Sequence, residues 1–188
     1  MSDAEFLTAT LSTDGVRSTA RLEATLACSA ADVWSFLTQP DRLPQWLAPG
    51  RIELEQGGAA RLDCHDSGIA IDSRVTQCKA PRALAYSWSR PGEPERPVRW
   101  HLAPMVGADL GGSTHLTLEL EIPAQEDIAR AAAGWAAHLE MLAAAVAGAP
   151  MKFPFPSFKA ARESFAAQIA ATHEPDYGKS GFIANFSH

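Results

Sequence analysis

The spacing of apolar positions changes along the chain, and each change marks a change of element. Residues 1–15 are rich in Thr, Ser and Asp and hold no sustained period, and Asp14-Gly15 signals a turn. From Arg17 to Leu26 apolar and polar residues alternate, which predicts the first strand over 17–26. Ser29 then offers a capping oxygen, Asp32 stands three residues on as in a capping box, and Val33, Trp34, Phe36 and Leu37 supply one apolar face. A short helix is predicted over 30–37. Pro40 and Pro44 restrict the next stretch to one short helix or turn that sends Trp46 inward, and Pro49-Gly50 ends it.

Between residues 51 and 122 the pattern is a series of short runs split by turn residues: 51–55, 59–65, 69–78, 83–89, 97–103 and 113–122. This predicts an antiparallel meander. Neighbouring side chains of a strand point to opposite faces, so Leu62, Cys64, Ile69, Ile71, Leu84, Tyr86, Trp88, Val98, Trp100, Leu102, Leu116, Leu118 and Leu120 are placed inside. Arg61, Asp63, Asp72, Arg74, Arg99, His115, Thr117, Glu119 and Glu121 fall on the wetter face, where Asp63, Arg74, Arg99 and Glu119 are expected in cross-strand ion pairs.

After Pro123, the run Gln125-Glu126-Asp127 puts acidic charge where a helix begins. Ile128, Ala132, Trp135, Leu139, Leu142 and Val146 recur at steps of four and three, one apolar stripe over about five turns that Gly148-Ala149-Pro150 terminates. Beyond it, Phe153-Pro154-Phe155-Pro156 reads as an extended connector and Phe158, Ala161, Phe165 and Ile169 as the apolar edge of a shorter helix. Tyr177, Phe182 and Phe186, with Ile183 beside them, are too much apolar surface for a solvated tail, which is expected to pack on its own domain or on a second subunit. The chain divides into an N-terminal segment 1–16, a domain 17–148 and a C-terminal extension 149–188.

Composition narrows the functional classes. Sixteen Lys and Arg against 22 Asp and Glu give a net charge of -6 with no basic block, so nucleic acid is not an expected partner. The acidic start, Met1-Ser2-Asp3-Ala4-Glu5, and the lack of a long apolar run predict a cytoplasmic protein with no membrane partner. Cys28, Cys64 and Cys78 are widely spaced and odd in number, which predicts buried free thiols.

A strand, two short helices, a meander and one long C-terminal helix is the element order of an α+β helix-grip, or START-like, fold. Specific residues add to the likeness: Ala30-Ala31-Asp32-Val33-Trp34-Ser35-Phe36-Leu37, Leu43-Pro44-Gln45-Trp46-Leu47-Ala48-Pro49-Gly50, Leu84-Ala85-Tyr86-Ser87-Trp88 and Gly134-Trp135-Ala136-Ala137-His138-Leu139-Glu140-Met141. Over residues 17–148 the chain resembles the branch of the START-like (SRPBCC) superfamily related to the C-terminal domain of the activator of the 90-kDa heat-shock ATPase. The likeness implies a curved antiparallel sheet wrapped around the long helix with a ligand cavity between them. Trp46, Tyr86, Trp88, Trp100, Gly134, His138 and Met141 are the ligand-binding candidates at that place. Gly134 is read as making a close approach or space on the helix.

No catalytic residue is assigned; His138 is the one candidate, and it would need a partner carboxylate or a substrate proton within hydrogen-bond reach. His65, His101, His115, Asp63 and Glu119 lack the spacing of a metal shell, so no metal and no cofactor are expected. The reading that leads is binding or carriage of a small hydrophobic molecule, aromatic ones included, which calls for no enzyme activity. Two others stand beside it: a cyclase or dehydratase using polar groups in the same cavity, and a co-chaperone-like protein or a homodimer formed through residues 151–188.

Overall fold

In the computed structural model, which describes residues 6–64, 68–106 and 112–173, eight strands form one antiparallel sheet against which three helices pack. The strands are β1 (Leu7–Thr13), β2 (Arg17–Leu26), β3 (Gly50–Ile52), β4 (Ala59–Cys64), β5 (Ile69–Lys79), β6 (Ala83–Ser87), β7 (Pro97–Pro104) and β8 (Thr114–Pro123). Their spatial order is β1-β2-β8-β7-β6-β5-β4-β3, so the meander returns to close on β2. The helices are α1 (Ala30–Thr38), α2 (Ile128–Val146) and α3 (Phe155–His173), with a 3-10 turn at Leu43–Gln45. This is the α+β helix-grip architecture.

Local chemistry sets the boundaries. Ser29 Oγ accepts from the Asp32 N–H at 3.1 Å and donates to the Asp32 carboxylate at 2.6 Å, fixing the start of α1. Asp127 caps α2 by accepting from the Arg130 N–H at 2.9 Å. At the far end Gly148 adopts φ 78°, its N–H reaches the Ala145 carbonyl and the Ala149 N–H reaches the Ala144 carbonyl. That pair of bonds is a Schellman stop, available at low cost because glycine tolerates positive φ.

Alternation places the inner face as expected for Leu62, Ile71, Leu84, Tyr86, Val98, Trp100, Leu102, Leu116, Leu118 and Leu120, all buried. Ile69 departs from it. At the first residue of β5, beyond the covered part of the sheet, it is 37% exposed. On the outer face Arg99 and Glu119 form cross-strand ion pairs: Arg99 reaches diagonally to Glu121, while Glu119 is taken by Arg21, which stands directly opposite it on β2. Glu121 also receives Arg17 at 2.8 Å, and these two arginines hold its carboxyl below the ordinary range, with the Arg17 hydrogen bond the larger cause. Cys28, Cys64 and Cys78 are only half-buried.

Two elements differ from the sequence reading. The sheet begins at Leu7 rather than Arg17, because Leu7, Ala9 and Leu11 alternate with polar residues and β1 pairs along its length with β2. The last helix is not shorter than α2 but equally long, at 19 residues each, and it starts inside the Phe-Pro-Phe-Pro run. Pro156 is tolerated there since the first turn of a helix has no use for its missing N–H. Tyr177, Phe182, Ile183, Phe186 and His65 lie outside the described residues.

α3 packs on α2 and on β1. The Gln168 side chain accepts from the Leu11 N–H at 2.9 Å and donates to the Ala9 carbonyl at 3.2 Å, so one amide occupies the edge groups that a ninth strand would use. Gln168→Ala is expected to cost about 1 kcal/mol and to accelerate hydrogen exchange at the Leu11 amide. Unchanged exchange there would show that the edge is protected by other means.

Candidate functional site

α2 presents three faces to its surroundings, and the site grows from their chemistry. Its predicted stripe is buried at Ile128, Ala132, Trp135, Leu139 and Leu142 and half-buried at its last member, Val146. Ala129, Ala133, Ala136 and Ala137 are buried as well, on the side away from the stripe. The third side carries Ala131, Gly134, His138 and Met141, all half-buried. α2 is thus a core helix held between the sheet and α3, with one margin left partly open.

Trp135 organises the space beneath. Its ring meets Trp88 edge-on at 4.8 Å and Trp100 at 5.6 Å, and Trp100 meets Trp46 at 5.8 Å. Four indoles in edge-to-face contact therefore cross from the segment after α1, over the sheet, to α2. Trp46 and Trp100 are each 1% exposed, Tyr86 is buried beside them, and the Trp46 indole N–H donates to the Phe36 carbonyl at 2.8 Å. Burial pushes the Tyr86 phenol up; the Trp100 indole, which faces it without meeting hydrogen-bond geometry, pulls the other way. Of the residues expected to line a cavity, Trp46, Tyr86 and Trp100 fill the core where the cavity was expected. Trp88 stands apart: it follows the last residue of β6 and is half-buried.

Beside Trp88 the packing leaves a slot of about 70 Å³ between α2 and the sheet. Its walls are Trp88, Trp135, Val98, Leu120, Ile122 and Ala131, and its rim carries Arg96, Glu121 and Glu126. That volume holds one or two waters, whereas a cavity that takes benzene is nearer ~150 Å³, so a ring enters only if a wall gives way. The rim is tied shut: Arg96 donates through Nε and Nη2 to the two carboxylate oxygens of Glu126, both at 2.9 Å, and through Nη1 to Glu93 at 3.0 Å. Arg96 is held in place by its own backbone, whose N–H donates to Ser87 Oγ and whose carbonyl accepts from the Trp88 N–H. A wider open depression lies between Thr13–Gly15 and Ala124–Gln125, but its walls are turn residues without an aromatic group.

A Cβ at Gly134 would meet nothing within 4 Å, so the residue leaves space on the open margin of α2 and makes no close approach. Met141 is half-buried against the core. His138 sits between Trp135 and Phe153, with ring centroids at 6.0 and 5.5 Å, and its Nδ1 lies 2.9 Å from the Trp46 carbonyl, to which the neutral ring donates. No carboxylate among the described residues hydrogen-bonds to it, so of the two partners a general base could use only a substrate proton is left. No group of three or more metal-ligating side chains converges among the described residues.

Burial holds the His138 imidazole below the usual histidine range, outweighing the upward pull of the Trp46 carbonyl. The sign of the consequence follows. As pH falls through about 6.5, the unfolded chain takes up a proton that the native state refuses, so stability drops. Glu23, Glu121 and Asp127, whose carboxyls are lowered, begin to cost stability only below about 4.5 and 3.8 for glutamate and aspartate respectively. Denaturant midpoints measured between neutrality and mild acid should fall for the native chain and fall less for His138→Gln. Equal slopes would place the titration elsewhere.

Sequence reasoning missed Trp135, Arg96, Glu126 and Ala131 as site residues. Trp135 had been assigned to the helix stripe, and the Arg96–Glu126 pair spans the β6–β7 turn and the cap of α2, which no local pattern joins.

The model of the family described as "Activator of Hsp90 ATPase homolog 1-like protein" matches residues 27–147. Among solved structures, CalU16 from Micromonospora echinospora superposes with a TM-score of 0.70 at 22% identity, covering 86% of this chain and 97% of that one. A Bordetella parapertussis protein gives 0.63 at 25% identity over 78% and 83% of the two chains. DynU16, from the dynemicin biosynthetic locus, gives 0.59 at 28% identity over 69% of this chain and 48% of its own. No curated protein matches the chain. No helix among the described residues is long and apolar enough to cross a membrane.

Proposed function

The chain belongs to the activator of Hsp90 ATPase homolog 1-like family, and from that premise we propose that it binds a small hydrophobic, aromatic-sized molecule at the slot between α2 and the sheet. One observation carries this reading: the slot is walled by two tryptophans and four aliphatic side chains, yet it opens to a rim of one arginine and two glutamates. Apolar walls with a few placed polar groups are the usual composition of a small-molecule site. A gap in a purely structural core has no need of such a rim. The likeness to DynU16, a protein of a biosynthetic locus, agrees with a small-molecule ligand.

Binding here is carriage or sequestration rather than chemistry, because the polar groups at the rim neutralise one another and His138 faces a backbone carbonyl. The ligand displaces a wall of the slot and gains the edges of Trp88 and Trp135 as contact area. The core tryptophans Trp46 and Trp100 take no direct part.

The test is a titration with benzyl alcohol, a neutral single-ring probe, followed on the tryptophan indole N–H resonances of the full chain. The Trp88 and Trp135 signals should move together while Trp34 stays put. Ala131→Val, whose added methyl groups fit within the slot, should weaken both shifts while leaving the melting temperature near that of the native chain. Absence of any shift at Trp88 and Trp135 would refute the site.

A further inference from the structure

The rim shows what kind of head group the slot accepts. Arg96 presents Nε and Nη2 as a two-pronged fork, and both prongs already hold a carboxylate, that of Glu126, at 2.9 Å. This is the parallel two-bond geometry in which a guanidinium recognises carboxylates. The fork lies at the mouth of a slot whose walls are otherwise apolar.

The two members of the pair differ in what becomes of them when parted. Glu126 has no ion-pair partner but Arg96 among the described residues, its side chain is 31% exposed, and it immediately precedes Asp127, the N-cap of α2. Once released, its carboxylate moves into water beside the positive end of a 19-residue helix, a favourable place for negative charge. Arg96, by contrast, is only 24% exposed and is anchored through its backbone at Ser87 and Trp88. It stays at the mouth, still paired through Nη1 with Glu93 at 3.0 Å, and its Nε and Nη2 need a replacement acceptor. The remaining rim carboxylate, Glu121, is already occupied by Arg17 and Arg99. An incoming anion therefore finds a built fork and displaces a group that leaves easily. An incoming cation would have to expel the anchored arginine from Glu126.

We infer that the slot takes an aromatic or planar apolar carboxylate, whose carboxylate replaces Glu126 on the Arg96 fork while its ring enters between Trp88 and Trp135. The Arg96–Glu126 pair is then a latch that the ligand exchanges: while closed it pins the β6–β7 turn to the start of α2, and its opening frees the wall that must move. This rests on the reading of the slot as a ligand site.

Three probes that share a ring and differ in charge separate the two claims. Benzoate, benzyl alcohol and benzylamine are titrated into the full chain at neutral pH, with the indole resonances of Trp88 and Trp135 as readout. Benzoate should bind about tenfold more tightly than benzyl alcohol, the gain of one charge-assisted contact, and benzylamine should bind least. Glu126→Gln, which removes the competing carboxylate and with it the latch, should tighten both rings, benzoate several-fold more than benzyl alcohol. Arg96→Lys, which keeps the charge and loses the fork, should bring benzoate close to the alcohol; should it fail to fold, Glu126→Gln carries the test alone. Equal affinity for benzoate and benzyl alcohol, or preference for benzylamine, overturns the carboxylate assignment and leaves the slot standing. If none of the probes shifts Trp88 or Trp135, both are overturned.

Discussion

Replacing Trp135 by alanine should cost about 3–5 kcal/mol, the range for removing a buried tryptophan. The reason lies in its position: the ring touches Trp88, Trp100 and His138, and it stands at the middle of the stripe by which α2 meets the sheet. Its loss removes more than one residue's burial, because each neighbouring ring loses the partner that fixes its orientation. For a domain of this size each kcal/mol lowers the melting temperature by about 2–4 °C, so a fall of roughly ten degrees is expected in a thermal scan. Trp135→Phe keeps a ring in the cluster and should lose well under half as much. A loss below about 1 kcal/mol for the alanine variant would mean that the aromatic run is not what joins helix to sheet.

Ending the chain after Ala149 should be as severe. α3 lies outside the stretch that matches the family, 27–147, yet it covers α2 and the sheet edge at β1. Phe165 is 9% exposed, and Phe158, Ala161 and Ile169 pack against the same core. Without α3 the alanine face of α2 and the open groups of β1 would meet water, Asp127 would lose Arg162 at 3.1 Å, and a contiguous apolar face would be added to the surface. The truncated protein should unfold at lower denaturant concentration and form oligomers in sedimentation. A monodisperse monomer with the native midpoint would show that α3 is an ornament.

How much of this is legible in the sequence depends on where the signal resides. The α2 stripe and its ends could be read because Leu, Ile and Trp recur at helical spacing and because Asp127 and Gly148 are chemically suited to start and stop a helix. The second buried face could not. It consists of Ala129, Ala133, Ala136 and Ala137, and alanine is as acceptable in water as under another helix, so only the presence of α3 shows that the face is covered. β1 failed for a similar reason: its inward residues are Leu7, Ala9 and Leu11, a period carried by one small and two large side chains, of which only Leu11 is fully buried.

At the site, alternation identified the aromatic residues that face inward, and chain order placed Trp46 beneath the helix. Whether those rings line a space or fill it is a matter of volume, decided by contacts such as Trp46 with Trp100 at 5.8 Å that join residues far apart in the chain. The slot itself appears because Trp88 falls one residue past β6, where the strand no longer dictates its direction. Its rim pairs side chains 30 residues apart, and nothing in either neighbourhood names the other.

The amide of Gln168 that caps the sheet edge has a further consequence in time. It lies 157 residues after Leu11, whose N–H it accepts. At ~5–20 residues per second, a ribosome needs roughly ten to thirty seconds between making the edge and making its cover. Throughout that interval β1, if already paired with β2, offers its outward groups to any extended chain nearby, including the β1 of a neighbouring nascent copy on the same message. Crowded translation at low temperature, where elongation slows, is therefore the condition under which this protein would be most exposed to self-association before it is finished.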